Sequence, residues 1–231
     1  MLKYLVEGGF MMVPLAICSI LTLAVIVDRA MAFAGYRAVD NRSLRAQILE
    51  LLSQGDFTGA ARLCASTTGP VAAVLLAGLQ SYHRHGSIQS RSSSITTVVE
   101  KSMEDYSAHA LGAVETRLGI LSTVGNAAPL FGMAGTVLGM IKAFGNMAAA
   151  GGLEGAAVAG GISEALVTTA AGLLIALAAV IPYNYFTGLS DRIALDIDEA
   201  ATELIDFVAT RAAAGEDGHS VSDQSTSEAG R

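Results

Sequence analysis

Three stretches without a charged residue dominate this sequence: Gly8 to Val27, Leu118 to Ile141 and Ala165 to Ser190, of 20, 24 and 26 residues. A helix rises about 1.5 Å per residue, so about 20 residues cross about 30 Å of hydrocarbon, and each run is long enough. Pro14, Pro129 and Pro182 fall inside the runs. Membrane helices tolerate such prolines because neighbouring helices and Ser/Thr side chains satisfy the freed carbonyls. The first run could instead be a secretory leader. Its length, its weakly basic flank and the lack of a small-residue cleavage site favour a retained span.

The composition agrees. Only 15% of residues are charged, against about 25% in soluble domains. Tryptophan is absent and glycine numerous, as expected of helices packed through small side chains. A net charge of -7 argues against a nucleic-acid partner. Much of that acidity follows residue 190. Cys18 and Cys64, far apart in unlike surroundings, read as ordinary reduced thiols. His83, His85, His109 and His219 have no metal-ligand spacing, and no Ser/His/acid set or phosphate-cradling loop is evident. No enzyme activity, cofactor or metal is therefore expected.

Nine Lys and Arg residues lie between the first two runs, four of them within about 20 residues of the first, where the positive-inside rule applies. Only Lys3 precedes the first run, and only Lys142 borders the hairpin between the second and third. The large segment should be cytoplasmic, the N-terminus and hairpin periplasmic, and the C-terminus cytoplasmic. The expected fold is an all-α integral membrane protein with three transmembrane helices, two of them extended into a helical cytoplasmic domain. We place a tail at 1–8, spans at 9–34, 118–144 and 161–189, and the cytoplasmic helical domain at 35–117. A periplasmic hairpin takes 145–160, a cytoplasmic helical extension 190–214, and a disordered tail 215–231.

Leu44, Ile48, Leu51 and Leu52 share a helical stripe that breaks at Gly55-Asp56. Ile193, Ile197, Ala200, Leu204 and Val208 form another. The segment from Ile95 to Leu121 contains no proline and is expected to feed into the second span without interruption.

Small residues line one side of the last two runs. Steps of three or four pass through Gly125, Ala128, Gly132, Gly135/Thr136, Gly139 and Ala143. In the third run they pass through Gly161, Ala165, Thr168/Thr169, Gly172, Ala176 and Ala179. Two readings stand at this point: tight helix packing, which needs no function, or the border of a central passage marked by Thr136 and Thr169. Glu164 likewise suits a helix N-terminus snorkelling to the interface, or an ion path. No Asp, Lys, Arg or His lies inside any run. A proton route here lacks its own mid-membrane titrating group, and a partner would have to supply one.

The segments "APLFGMAGTVLGMIKAF" (128–144), "GISEALVTTAAGL" (161–173) and "IPYNYF" (181–186) resemble the signatures of the ExbB/TolQ/MotA family, its ExbB branch above all. "SQGDFTGAARLCASTTGPVAAVLLAGL" (53–79) is similar to the family's cytoplasmic loop. The resemblance implies a homopentameric ring around a single-span, ExbD- or TolR-like partner dimer whose aspartate carries protons. It implies work passed to a TonB- or TolA-like protein in the bacterial inner membrane. It also implies an ion pathway lined by Thr136, Thr169 and Glu164, beside which Thr168 is placed, while the spacing has Gly125, Gly132, Gly135, Gly139, Gly172 and Ala176 packing the helices. The chain lacks the fourth span of MotA-type stators. A TolQ-like role in envelope integrity, or a non-conducting scaffold, are the alternatives.

Overall fold

The computed structural model describes residues 9–37, 40–85, 92–149 and 155–228, and every regular element among them is helical. In chain order these are α1 (Met12–Arg37), α2 (Asn41–Ser53), α3 (Phe57–Ser66), α4 (Pro70–His85), α5 (Ser92–Glu115), α6 (Leu118–Ala149) and α7 (Gly155–Glu228). The expected tail 1–8, the tip of the hairpin at 150–154 and residues 229–231 lie outside the described residues. The chain divides into two compact units, Met1–Ala32 with Glu115–Gly188, and Phe33–Val114 with Leu189–Arg231.

The first unit holds the three apolar helical segments, which among the described residues are long and apolar enough to cross a membrane. α1 runs antiparallel to α6: Asp28 meets Arg117 near one end and Met11 approaches Gly135 near the other. Its buried face is Met12, Leu15, Cys18, Thr22, Val25 and Arg29. The Thr22 hydroxyl, with no water to bond, donates to the Cys18 carbonyl at 2.8 Å. The opposite face, including Ile20, Leu23 and Val27, is bare and wholly aliphatic, as suits lipid.

α6 and α7 pack on each other through their small-residue strips. A Cβ on Gly172 would stand 2.6 Å from the Ala128 carbonyl oxygen and 3.1 Å from the Gly132 Cα. One on Gly132 would stand 3.1 Å from the Thr169 Cα, and one on Gly139 3.0 Å from the Ala165 Cβ. Backbone therefore meets backbone, which in lipid supplies the dispersion contact that a hydrophobic effect cannot. Of the two sequence readings of these strips, packing describes how they meet within one chain.

The second unit has a core of its own. Leu44, Ile48 and Leu52 of α2, Ala60 and Cys64 of α3, and Val71, Val74, Leu75 and Leu79 of α4 pack with Val99 and Met103 of α5. Ile197, Ala200, Leu204 and Val208 of α7 close it. Two aspartates start the short helices: Asp40 accepts from the backbone N–H of Arg42 and Ser43, and Asp56 from that of Gly59 at 2.8 Å. Gly55, at φ 82, supplies the left-handed turn between α2 and α3. Arg45 is buried and reaches Glu199 at 2.9 Å, tying α2 to α7. Burial pushes the Cys64 thiol up to about 11, so at neutral pH it is an unreactive thiol.

One helix bound differs from the sequence expectation. The segment expected to run unbroken into the second span stops at Glu115, and Arg117 adopts φ 71 before α6 begins. A left-handed non-glycine residue costs about 1–2 kcal/mol. Here its guanidinium Nη1 donates to Asp28 Oδ1 at 2.6 Å, an anchor far off in sequence. At the other end of the chain α7 runs to Glu228.

Replacing Gly172 by Leu should jam α6 against α7. We expect the detergent-solubilised protein to lose about 1–3 kcal/mol or more of stability, measured by thermal unfolding, while Leu174→Ala on the exposed face changes little.

Candidate ion-pathway site

The α6–α7 contact positions the polar side chains in register. Gly132 and Thr169 face each other, then Gly135 and Thr168, then Gly139 and Ala165. The neighbouring threonines consequently part company. Thr168 points into the contact, is 1% exposed, sets its methyl against Gly135, and donates its hydroxyl to the Glu164 carbonyl at 2.9 Å. Within one chain it lies inside the helix contact, against Gly135. Thr169 is half-exposed and donates across the contact to the Gly132 carbonyl at 2.8 Å. Removing a net hydrogen bond of this kind typically costs about 0.5–1.5 kcal/mol.

Thr136 lies one turn beyond Gly132 on α6, so its rise from the Thr169 acceptor is only about 6 Å. It too is half-exposed, with its hydroxyl bonded to the Met133 carbonyl at 2.7 Å. Gly125 abuts the Val180 side chain, and Ala176 is buried. The expected packing glycines Gly132, Gly135, Gly139 and Gly172 each meet atoms of the facing helix.

Glu164 has a partner that sequence reasoning missed. Lys142 Nζ stands 3.1 Å from its Oε2 and 3.5 Å from its Oε1. The carboxylate is three-quarters covered, at 23% exposure, whereas the lysine is 63% exposed. It lies so close to Gly9 that a Cβ there would overlap Glu164 Oε1. Gly9, at φ 68, is the residue that permits this approach. A cavity of about 170 Å³, lined by Phe10, Met11, Leu138, Lys142 and Glu164 among others, opens beside the pair. The clue lay in the hairpin: its lone lysine ends one run and Glu164 begins the next, but choosing Glu164 over Glu154 requires the register of α6 on α7.

The site can offer hydroxyls and one ion pair. It offers no Asp, Glu, Lys, Arg or His between Glu164 and Asp191 on α7, or between Arg117 and Lys142 on α6. Among the described residues no cluster of His, Cys, Asp or Glu has the form of a metal site.

A sequence model described as the MotA/TolQ/ExbB proton channel family matches residues 66–199. The chain belongs to the MotA/TolQ/ExbB proton channel family. The match contains the facing strips of α6 and α7 with Thr136, Glu164 and Thr169. Over 194 residues the chain is 28% identical to the biopolymer transport protein ExbB of Neisseria meningitidis serogroup A, covering 83% of this chain and 87% of that protein. Over 97 residues it is 33% identical to the ExbB of Xanthomonas campestris pv. campestris, covering 42% of this chain. That match spans 38% of the Xanthomonas protein's own length. A Pseudomonas putida ExbB is 28% identical over 194 residues, 57% of its length. The family resemblance expected from the α6 and α7 motifs is thus shown, and a three-span helical membrane protein of this family suits a bacterial inner membrane.

If Lys142 and Glu164 pair, Lys142→Glu and Glu164→Lys should each lower stability in detergent, and the double exchange should recover much of the loss. A coupling of about 0.5–1 kcal/mol by double-mutant cycle is expected; additive losses would dissolve the pair.

Proposed function

We propose that this chain is the ExbB-like ring subunit of a proton-driven motor in the bacterial inner membrane. In this reading several copies, five by resemblance, surround the single-span helices of an ExbD-like partner dimer. The N-terminus faces the periplasm and the C-terminus the cytoplasm. Protons descending their gradient pass through the ring and do work on a TonB-like protein serving outer-membrane transport. The ExbB names of the relatives favour that beneficiary over a TolQ-like one.

One observation carries the reading. The two half-exposed hydroxyls of the α6–α7 pair, Thr136 and Thr169, flank Gly132 inside runs that hold no acidic, basic or histidine residue. A hydroxyl is both donor and acceptor and carries no fixed charge, so it can relay hydrogen bonds to a carboxylate brought by another chain. A fixed charge at that level would either trap the partner's acid or repel it. Glu164, held by Lys142, sits toward the periplasmic end of the route and sets the local potential there without itself standing at mid-membrane.

Thr136→Val and Thr169→Val keep size and shape while removing the hydroxyl. Each should cut proton flux of the reconstituted complex about tenfold, in line with the loss of one polar contact worth about 1.4 kcal/mol to the passage barrier. Assembly, read by co-purification with the partner, should persist. Undiminished flux and energy-dependent uptake in both variants would overturn the assignment.

A further inference from the structure

The stripe of α6 that bears Thr136 continues toward the N-terminal end of the helix. Ser122, Asn126, Pro129, Met133, Thr136 and Met140 succeed one another by four, three, four, three and four residues, which holds them on one side of a helix. None of the six is buried. The stripe borders the α6–α7 contact without entering it, since the contact uses Gly125, Ala128, Gly132, Gly135 and Gly139.

Its inner half is polar beyond what a lipid-facing helix carries. Asn126 is exposed, eight residues inside the uncharged run, at a depth of about 12 Å from Leu118. It spends one amide hydrogen on the Ser122 carbonyl at 2.9 Å. Its other amide hydrogen, its carbonyl oxygen and the Ser122 hydroxyl find no partner among the described residues. Pro129 adds a second, independent polar group. Lacking an N–H, it leaves the Gly125 carbonyl, four residues back, without its helical donor. A side-chain amide and a hydroxyl thus share one stripe, and the carbonyl that Pro129 frees lies beside it at Gly125, in a segment otherwise built for hydrocarbon. Each such group left unpaired in lipid costs several kcal/mol. By contrast the exposed face of α1, through Ile20 and Leu23, is aliphatic.

We propose that Ser122, Asn126 and the Gly125 carbonyl form a second polar station of the ion passage, about 15 Å along α6 from Thr136. The station rests on the passage reading above and extends it: Thr136 and Thr169 serve the partner's carboxylate, and the Asn126 station holds the water that carries the proton onward to the α5 end of α6. Asn126 suits water because it both donates and accepts, and because no titration there competes with the partner's acid.

The test is thiol accessibility in the full chain assembled with its single-span partner in membranes. Cys18→Ala and Cys64→Ala, both at buried positions, provide the background. Single cysteines are then placed as Ser122→Cys, Asn126→Cys and Thr136→Cys, with Leu23→Cys as the lipid-facing reference. Each is treated with a charged, membrane-impermeant thiosulfonate. A thiol in water ionises and reacts, and one in lipid does not, so Asn126→Cys and Thr136→Cys should both react about a hundredfold faster than Leu23→Cys. A fast Thr136→Cys beside an Asn126→Cys as slow as Leu23→Cys would overturn the station while leaving the passage standing. Slow reaction at all three positions would remove both. In the same complex Asn126→Leu should lower proton flux about tenfold and Asn126→Ser should retain it; equal flux in the two variants would also overturn the station.

Discussion

The structure of the membrane unit depends on one contact, the approach of the α6 and α7 backbones through Gly132 and Gly172. At that point the Gly132 Cα lies where a Gly172 Cβ would come within 3.1 Å, and the Ala128 carbonyl is closer still. In a bilayer, lipid tails are as apolar as leucine, and two helices gain nothing by hiding aliphatic surface from them. They gain by fitting closely. The glycine strips let that happen over four turns, and the bulkier Leu, Ile, Val and Met side chains are left on the outside.

This contact also decides what each polar residue can do. With the strips engaged, Thr168 is consumed in the packing and its hydroxyl bonds its own helix. Thr169, a third of a turn away, reaches across to Gly132 and keeps one side open. Lys142 comes opposite Glu164 because the same register runs on to the hairpin. One register thereby yields a buried threonine, two half-exposed threonines and an ion pair. No charge lies deeper in these runs, where an acid fixed in hydrocarbon would be costly.

Much of this was legible in the sequence because the governing signals are local. Run length gives the spans, the spacing of Gly125 to Ala143 and Gly161 to Ala179 gives the strips, and Leu44, Ile48 and Leu52 give a buried stripe that the core of the second unit contains. What escaped depends on residues distant along the chain. Adjacent threonines read alike until the facing helix is placed. Arg117 breaks the α5–α6 run while holding Asp28, 89 residues earlier, which no window around Arg117 contains. Glu164 and Lys142, 22 residues apart, needed the hairpin register. The polar stripe through Asn126 was readable in principle, but an amide carries no charge and a search for intramembrane ions passes over it.

The account turns on where the border threonines face once copies assemble. A high-resolution structure of the complex in lipid measures this directly. We expect the Gly132–Gly172 contact intact in every copy, with Thr136 and Thr169 turned to a central space that holds another chain's helix. Threonines set among acyl chains, or covered by a second copy with no interior space, would contradict it.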